Sequence, residues 1–266
     1  MINAALFRQS MKSGLKLLLL FALILTVYVS VMVTMFDPEI GKALEAFAKA
    51  LPEIMAMVGM DTAAATLTGF LSNYLYGFIM LVFPMVYGML LSNRLMARPV
   101  DRGSMAFLLA SPNPRRRVAF TQLLVLMLNQ ALLIAYATAL AIVCSEAMFP
   151  GELETGRYIL MNAGVFFLHT ALSGLCFFAA CVSNESRKAL AVGGGISAVF
   201  YLIRMLANMG GRLENLKYAT IFTLFDPERI IAGESGALAM TGILLLIGAV
   251  LSGAGIAVFE KRDLPL

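Results

Sequence analysis

Leu15 to Val33 reads LKLLLLFALILTVYVSVMV, with one charge, Lys16, at its start and apolar residues on every helical face after it. A hydrocarbon core of about 30 Å takes about 20 apolar helical residues to cross, so this stretch predicts a membrane span, placed at Leu15 to Met35. A barrel strand would instead alternate in polarity over about ten residues. Ala239 to Phe259, AMTGILLLIGAVLSGAGIAVF, has the same all-round apolar character near the other end of the chain. The last span is set at Leu238 to Phe259, and four more are predicted between, at Gly69 to Leu91, Val118 to Cys144, Ile159 to Val182 and Ala189 to Ala207. The 266 residues are 60% hydrophobic and 14% charged, against about 45–50% and about 25% in soluble domains. The reading is an all-α integral membrane protein with six transmembrane helices.

Arg8 and Lys12 ahead of an apolar run have the outline of a signal peptide. The run is too long and no small-residue cleavage pattern closes it, so the first helix is expected to stay as an anchor. With the amino terminus inside, the inner segments hold Arg8, Lys12, Lys16, Arg94, Arg98, Arg102, Arg115, Arg116, Arg117, Arg187, Lys188, Lys261 and Arg262. These are thirteen of the twenty basic residues, set against only four of the sixteen acids. Lys and Arg favour the cytoplasmic side, so both termini are predicted to be cytoplasmic. The net charge of +4 is then spread along short connections beside anionic headgroups. Membrane lipid, and no nucleic acid, is the partner this charge implies.

The connections are short. Asn3 to Lys16 sets Leu6, Phe7, Met11 and Leu15 opposite Arg8, Gln9, Lys12 and Lys16, which fits an interfacial helix over residues 1–14 or a first helix protruding into the cytoplasm. Asp37 to Thr68 contains KALEAFAKALPEIMAMVGM, an amphipathic stretch expected on the outer surface, and Glu146 to Arg157 is a plain turn around Pro150 and Gly151. In Asn208 to Ala237, the side chains of Tyr218, Ile221, Phe222, Leu224 and Phe225 are expected to dip into the outer interface. With no repeat and no low-complexity tract, residues 1–266 are expected to form one transmembrane domain.

Catalytic constellations are missing from the sequence. It has no G-x-x-x-x-G-K-[ST] phosphate loop, H-E-x-x-H or G-x-S-x-G, so no catalytic, cofactor-binding or metal site is assigned. His169 is the one histidine and has no acid near it in sequence, which favours a hydrogen bond to a neighbouring helix over a proton relay. Arg204 is the main ionisable residue inside a span, and the lack of buried carboxylates argues against self-powered ion-coupled transport. Cys144, Cys176 and Cys181 read as packing residues. Asn73, Tyr76, Gln122, Asn129, Gln130, Tyr136, Asn162 and Ser173 lie inside the spans, where they glue helices together or line a path. Asn73, Tyr76, Asn129, Gln130 and Tyr136 are the candidates for an amphipathic substrate's path. Gly193 to Gly195 and Gly248 to Gly255 allow close helix approach, and Pro84 predicts a kink in the second span.

The most distinctive stretch is Val100 to Arg117, VDRGSMAFLLASPNPRRR, set between two apolar runs. Asp101, Gly103, Ser104, Phe107, Leu108, Leu109, Pro112 and Arg115 resemble the cytoplasmic element of ABC-2 type transporter permeases. That family's pattern is an acid, then Gly-Thr, Leu-Leu, a Pro and an Arg. Ser104 stands where the family has Thr, and Arg102 separates Asp101 from Gly103. The tail Phe259 to Leu266, FEKRDLPL, is similar to the ending of these permeases, and Ile221 to Pro227, IFTLFDP, to the segment before their sixth helix.

The resemblance implies the fold of the type V exporters, with residues 100–117 forming a coupling element that rests on a nucleotide-binding subunit. Met105, Phe107, Leu108 and Leu109 beside arginines supply an apolar stripe for a partner's groove and charges that fix register. The chain would then be a non-enzymatic permease subunit in a bacterial cell membrane, partnered by two ABC ATPase subunits that bind ATP and Mg. A second permease copy or a paralogue would complete the dimer. Its apolar spans with scattered Asn, Gln and Tyr point to export of a hydrophobic or amphipathic peptide, lipid or drug. The competing readings are an intramembrane lipid-acting enzyme built on His169 or the Asp101 region, and a peptide-sequestering immunity or scaffold protein.

Overall fold

Six helices long and apolar enough to cross a membrane account for most of the chain. The computed structural model describes residues 2–36, 50–57, 66–109 and 114–263, which contain no strand. The elements are α1 (Ala4–Thr34), α2 (Pro52–Met57), α3 (Leu67–Asp101), α4 (Met105–Leu109), α5 (Arg115–Met148), α6 (Thr155–Val182), α7 (Ser186–Asn208), α8 (Pro227–Ile231) and α9 (Ser235–Lys261). The six spanning helices are α1, α3, α5, α6, α7 and α9. Most of the outer stretch 37–65 lies outside the described residues.

Every predicted span is found, and four of the six extend beyond the apolar window at both ends. The window marks only the hydrocarbon layer, whereas the helix runs on until backbone groups find other partners. Asn3 Oδ1 accepts from Leu6 N (3.0 Å) at the start of α1, and Thr66 Oγ1 accepts from Gly69 N (3.1 Å) at the start of α3. Asn3 to Lys16 is therefore the first half of one continuous helix with the first span. That half lies against α5, with Leu6, Ser10 and Gly14 buried and Asn3 N donating to Thr121 Oγ1 (3.1 Å).

Helix α6 is the centre of the bundle, packed by α3, α5 and α9, while α1 lies on α5. The α6–α9 crossing is a backbone-to-backbone contact. A Cβ on Gly248 would lie 2.7 Å from the Thr170 carbonyl oxygen, and one on Gly174 would lie 2.8 Å from the Gly248 oxygen. Gly193 and Gly194 are similarly filled by Cys176 and Met89, but Gly195 and Gly253 face open space. The expectation of close approach therefore holds at Gly193, Gly194, Gly248 and Gly255 and fails at Gly195 and Gly253.

Asn208 to Ala237 departs from its expectation. Phe222 and Phe225 are buried inside the protein instead of dipping into lipid, and only Tyr218 is well exposed. Ile221–Leu224 is a short 3₁₀ helix, and its threefold period carries Phe222 and Phe225 onto the same side. Phe225 and Ile230 pack on Gly164 of α6, and Thr220 Oγ1 donates to Phe200 O (2.8 Å).

Both chain ends meet the start of α5, since Arg115 Nη1 donates to the Arg262 carbonyl (2.6 Å) and Asn3 joins Thr121. We call this the terminal end of the bundle. The 208–237 segment closes the far end.

Candidate functional site

At the terminal end, α3 stops at Asp101, and Gly103 turns the chain with φ +69°, a left-handed conformation that suits a residue without Cβ. Ser104 Oγ donates to Pro99 O (3.3 Å), holding the turn against the end of α3. The next residues form α4. Its Met105 is fully buried, and Leu108 packs partly on the core. Phe107 is 84% exposed. Phe107 is therefore held outward on a short helix whose Met105 is anchored in the core. Next to it lies a crevice of about 340 Å³ whose walls include Leu6, Gln9, Arg94, Leu95 and Leu108. Of the residues predicted from sequence, Asp101, Gly103, Ser104, Phe107, Leu108 and Arg115 thus gather at one end. Leu109 continues the α4 backbone, and Pro112 lies outside the described residues.

Arg115 also serves the fold, its Nη1 donating to the Arg262 carbonyl. Arg262 in turn forks onto the end of α6, donating to Cys181 O, Ser183 O and Asn184 Oδ1. Burial pushes its pKa down, Cys181 opposes that shift and Arg115 adds to it. The hydrogen bonds offset the cost of holding the charge there. The basic tail is therefore a clasp between α5, α6 and α9.

In the middle of the bundle the polar residues act as glue. Pro84 has no N–H, so the Met80 carbonyl one turn back loses its helical donor. His169 on α6 supplies one, with Nε2 at 2.8 Å from Met80 O, and must carry its proton on that nitrogen. Gln130 Nε2 donates to Pro84 O (3.1 Å), and Asn129 accepts from Tyr87 OH (3.2 Å) while donating to Val125 O (2.8 Å). Asn129 and Gln130 are fully buried. Tyr136 lies on an exposed face, sharing a hydrogen bond with Thr26 Oγ1 (2.7 Å).

Asn73 and Tyr76 sit elsewhere again, at the far end. Tyr76 OH donates to Asn162 Oδ1 (2.7 Å) and shares a hydrogen bond with Tyr158 OH (2.8 Å). Both residues line a cavity of about 270 Å³ that also touches Ser72, Arg204, Phe222 and Asp226. The five candidate path residues therefore fall into three separate places, and only Asn73 and Tyr76 border a cavity together.

The chain matches the family model described as "ABC-2 family transporter protein" over residues 6–264. It belongs to the ABC-2 transporter family. A search of curated proteins finds no match. As an ABC-2 family protein with six spanning helices it is a multi-pass membrane protein of the transport class. The match spans the exposed element around Phe107, the central helix α6 and the far-end cavity alike.

Sequence reading of this ABC-2 protein missed Ser72 and Asp226 as neighbours of Arg204, and Asn93 as a partner of Ser186. Asn93 Nδ2 donates to Ser186 Oγ (2.9 Å), tying α3 to α7 within a widened π-turn at Asn93–Ala97. The available signal was Arg204 itself, a cation near a span end with no acid one helical turn away. Among the described residues no three His, Cys, Asp or Glu side chains cluster as metal ligands.

Proposed function

We propose that the chain is the permease subunit of a bacterial ABC exporter, driven by ATP hydrolysed on separate ATPase subunits. The observation that supports this best is Phe107, held 84% exposed on a short helix anchored by Met105 at the end of the bundle where both termini lie. The positively charged connections at that end support a cytoplasmic placement. Two ATPase subunits would seat on two such elements, one from each permease of a pair formed with a second copy or a paralogue. Closure of the ATPases on nucleotide would push on α4, and α3 would carry the motion into the bundle through Gly103 and the Asn93–Ser186 tie. An amphipathic cargo is favoured because the spans combine apolar faces with polar groups at the far-end cavity.

Co-purification with the ATPase tests the reading. Leu108→Asp and Arg115→Glu would lower association, but both side chains also hold the fold, through the core and Arg262. Phe107→Asp is the cleaner probe. ATPase recovery should fall by about tenfold, the size expected for losing one apolar anchor, with the melting temperature of the permease unchanged. Unchanged recovery with Phe107→Asp would remove the basis for the coupling role.

A further inference from the structure

Arg204 lies one turn before the end of α7, and its Nη1 is enclosed with no hydrogen-bond partner. The guanidinium stands over the Phe222 ring at 5.8 Å. Ser72 Oγ, on α3, is also buried without a partner, and both residues border the same far-end cavity. Two unsatisfied donors at one cavity are costly in a membrane protein, where each buried polar group needs a partner. Asp226 borders the cavity too, but its Oδ1 accepts from Glu228 N and Arg229 N (both 3.1 Å) as the cap of α8. It attracts Arg204 electrostatically, but no ion pair or hydrogen bond joins the two among the described residues.

The second observation is what adjoins the cavity. A crevice of about 410 Å³, walled by Phe200, Ile221, Leu224 and Met240, shares Lys217, Thr220 and Thr223 with it. A chamber holding a cation with an unsatisfied nitrogen thus opens beside an apolar groove. At about 270 Å³ the chamber falls below the range of about 300–1,000 Å³ that holds a whole drug-sized ligand, so it suits a headgroup.

We propose that this far-end site binds an amphiphile with an oxyanion headgroup, phosphate or carboxylate. Arg204 takes the charge, Ser72 donates a hydrogen bond, and the hydrocarbon lies in the groove along Phe200 and Met240. The oxyanion supplies the acceptor that Arg204 Nη1 lacks among the described residues, and the bond is charge-assisted and therefore strong. The amphiphile is either a phospholipid of the surrounding leaflet or the exported cargo, since both present the same chemistry. The inference stands whether or not an ATPase docks at the terminal end.

The test uses the full chain in a neutral glycoside detergent with three probes: dihexanoylphosphatidylglycerol, phosphate-free dihexanoylglycerol and inorganic phosphate. Wild type should bind the phospholipid about tenfold more tightly than the neutral glyceride or phosphate, and its melting temperature should rise with the phospholipid. Arg204→Met should abolish that preference while melting no lower than wild type without lipid, because an unpaired buried charge has been removed. Ser72→Ala should weaken phospholipid binding several-fold and leave the fold intact. Equal binding of phosphatidylglycerol and the neutral glyceride would overturn the proposal. So would phosphate binding as tightly as the phospholipid, which would make this a small-anion site, or a lower melting temperature for lipid-free Arg204→Met, which would make the arginine structural. Native mass spectrometry of wild type beside Arg204→Met separates the sources: a bulk phospholipid lost in the variant identifies annular lipid, and any other amphiphile identifies cargo.

Discussion

In α1, 22% of the most apolar stretch is buried; in α6 the share is 72%, although α1 is the more apolar helix. Helix α1 turns Leu19, Leu23 and Val27 outward and keeps one row inward: Leu6, Ser10, Gly14, Phe21, Leu25, Val29 and Val33. Helix α6 buries Asn162, His169, Ser173, Gly164 and Gly174. In water the ranking would be reversed. Lipid tails are as apolar as leucine, so burying leucine in a bundle gains little, and helices associate through close backbone approach and hydrogen bonds. Hydropathy therefore finds the spans, while small and polar residues find the interior.

The comparison breaks most easily at the α6–α9 crossing. Gly248→Leu drives a side chain into the Thr170 carbonyl, which cannot move without parting the helices. The expected loss is about 3 kcal/mol, the upper part of the range for overpacking, read as a lower melting temperature in mild detergent. A variant that melts like wild type would show that the two backbones are not in contact. Next in size is Arg262→Ala, which releases three acceptors at the end of α6 and should cost about 2 kcal/mol. Arg262→Lys should recover little of it, because a single ammonium lacks the planar fork. Full recovery with lysine would reduce the clasp to simple charge.

His169→Ala tests polar glue inside the membrane. It strands the Met80 carbonyl that Pro84 has already deprived of a donor, at an expected cost of about 1–2 kcal/mol. His169→Gln, which keeps an N–H within reach, should restore most of the loss. If alanine is neutral, or if glutamine fails while alanine succeeds, the bond to Met80 is not what fixes the ring.

This pair also shows where sequence reading succeeds and stops. Six spans were legible because hydropathy is a sum over about 20 residues and survives local noise. The central place of α6 was half legible, in Asn162, His169 and Ser173, but Pro84 was read as a kink and not as a carbonyl in need of a donor. The π-turns at Leu75–Ile79 and Leu190–Gly194 leave no local signature, since the extra residue is accommodated by tertiary contacts such as Tyr201 OH donating to Gly77 O (3.3 Å). Phe222 and Phe225 were misplaced because hydropathy reports apolar character and not which medium covers it, and here Phe225 packs on Gly164 of α6 and both rings are buried in protein. Around Val100 to Arg117 the residue types were legible, but only the fold shows that Arg115 serves Arg262 while Phe107 stands outward. Ser72 and Arg204 border one cavity from helices far apart in the chain, and no spacing rule reaches that distance.

The smallest effects belong to the lipid-facing side of α9, which makes them the control for everything above. Gly242 has nothing within 4 Å of an added Cβ, six residues from Gly248, where the clearance is 2.7 Å. Gly242→Ala should therefore shift stability by no more than about 0.5 kcal/mol, with the sign toward stabilisation because alanine is the better helix former. Leu246, 66% exposed between them, should tolerate alanine within the same margin. The two measurements together separate lipid from protein as the covering medium. A loss well above about 1 kcal/mol at either position would exceed what a lipid-facing change causes, and a second polypeptide would then have to cover that face. Equal tolerance at Gly242 and Leu246, beside intolerance at Gly248, would confine the contact surface of α9 to the single row that meets α6.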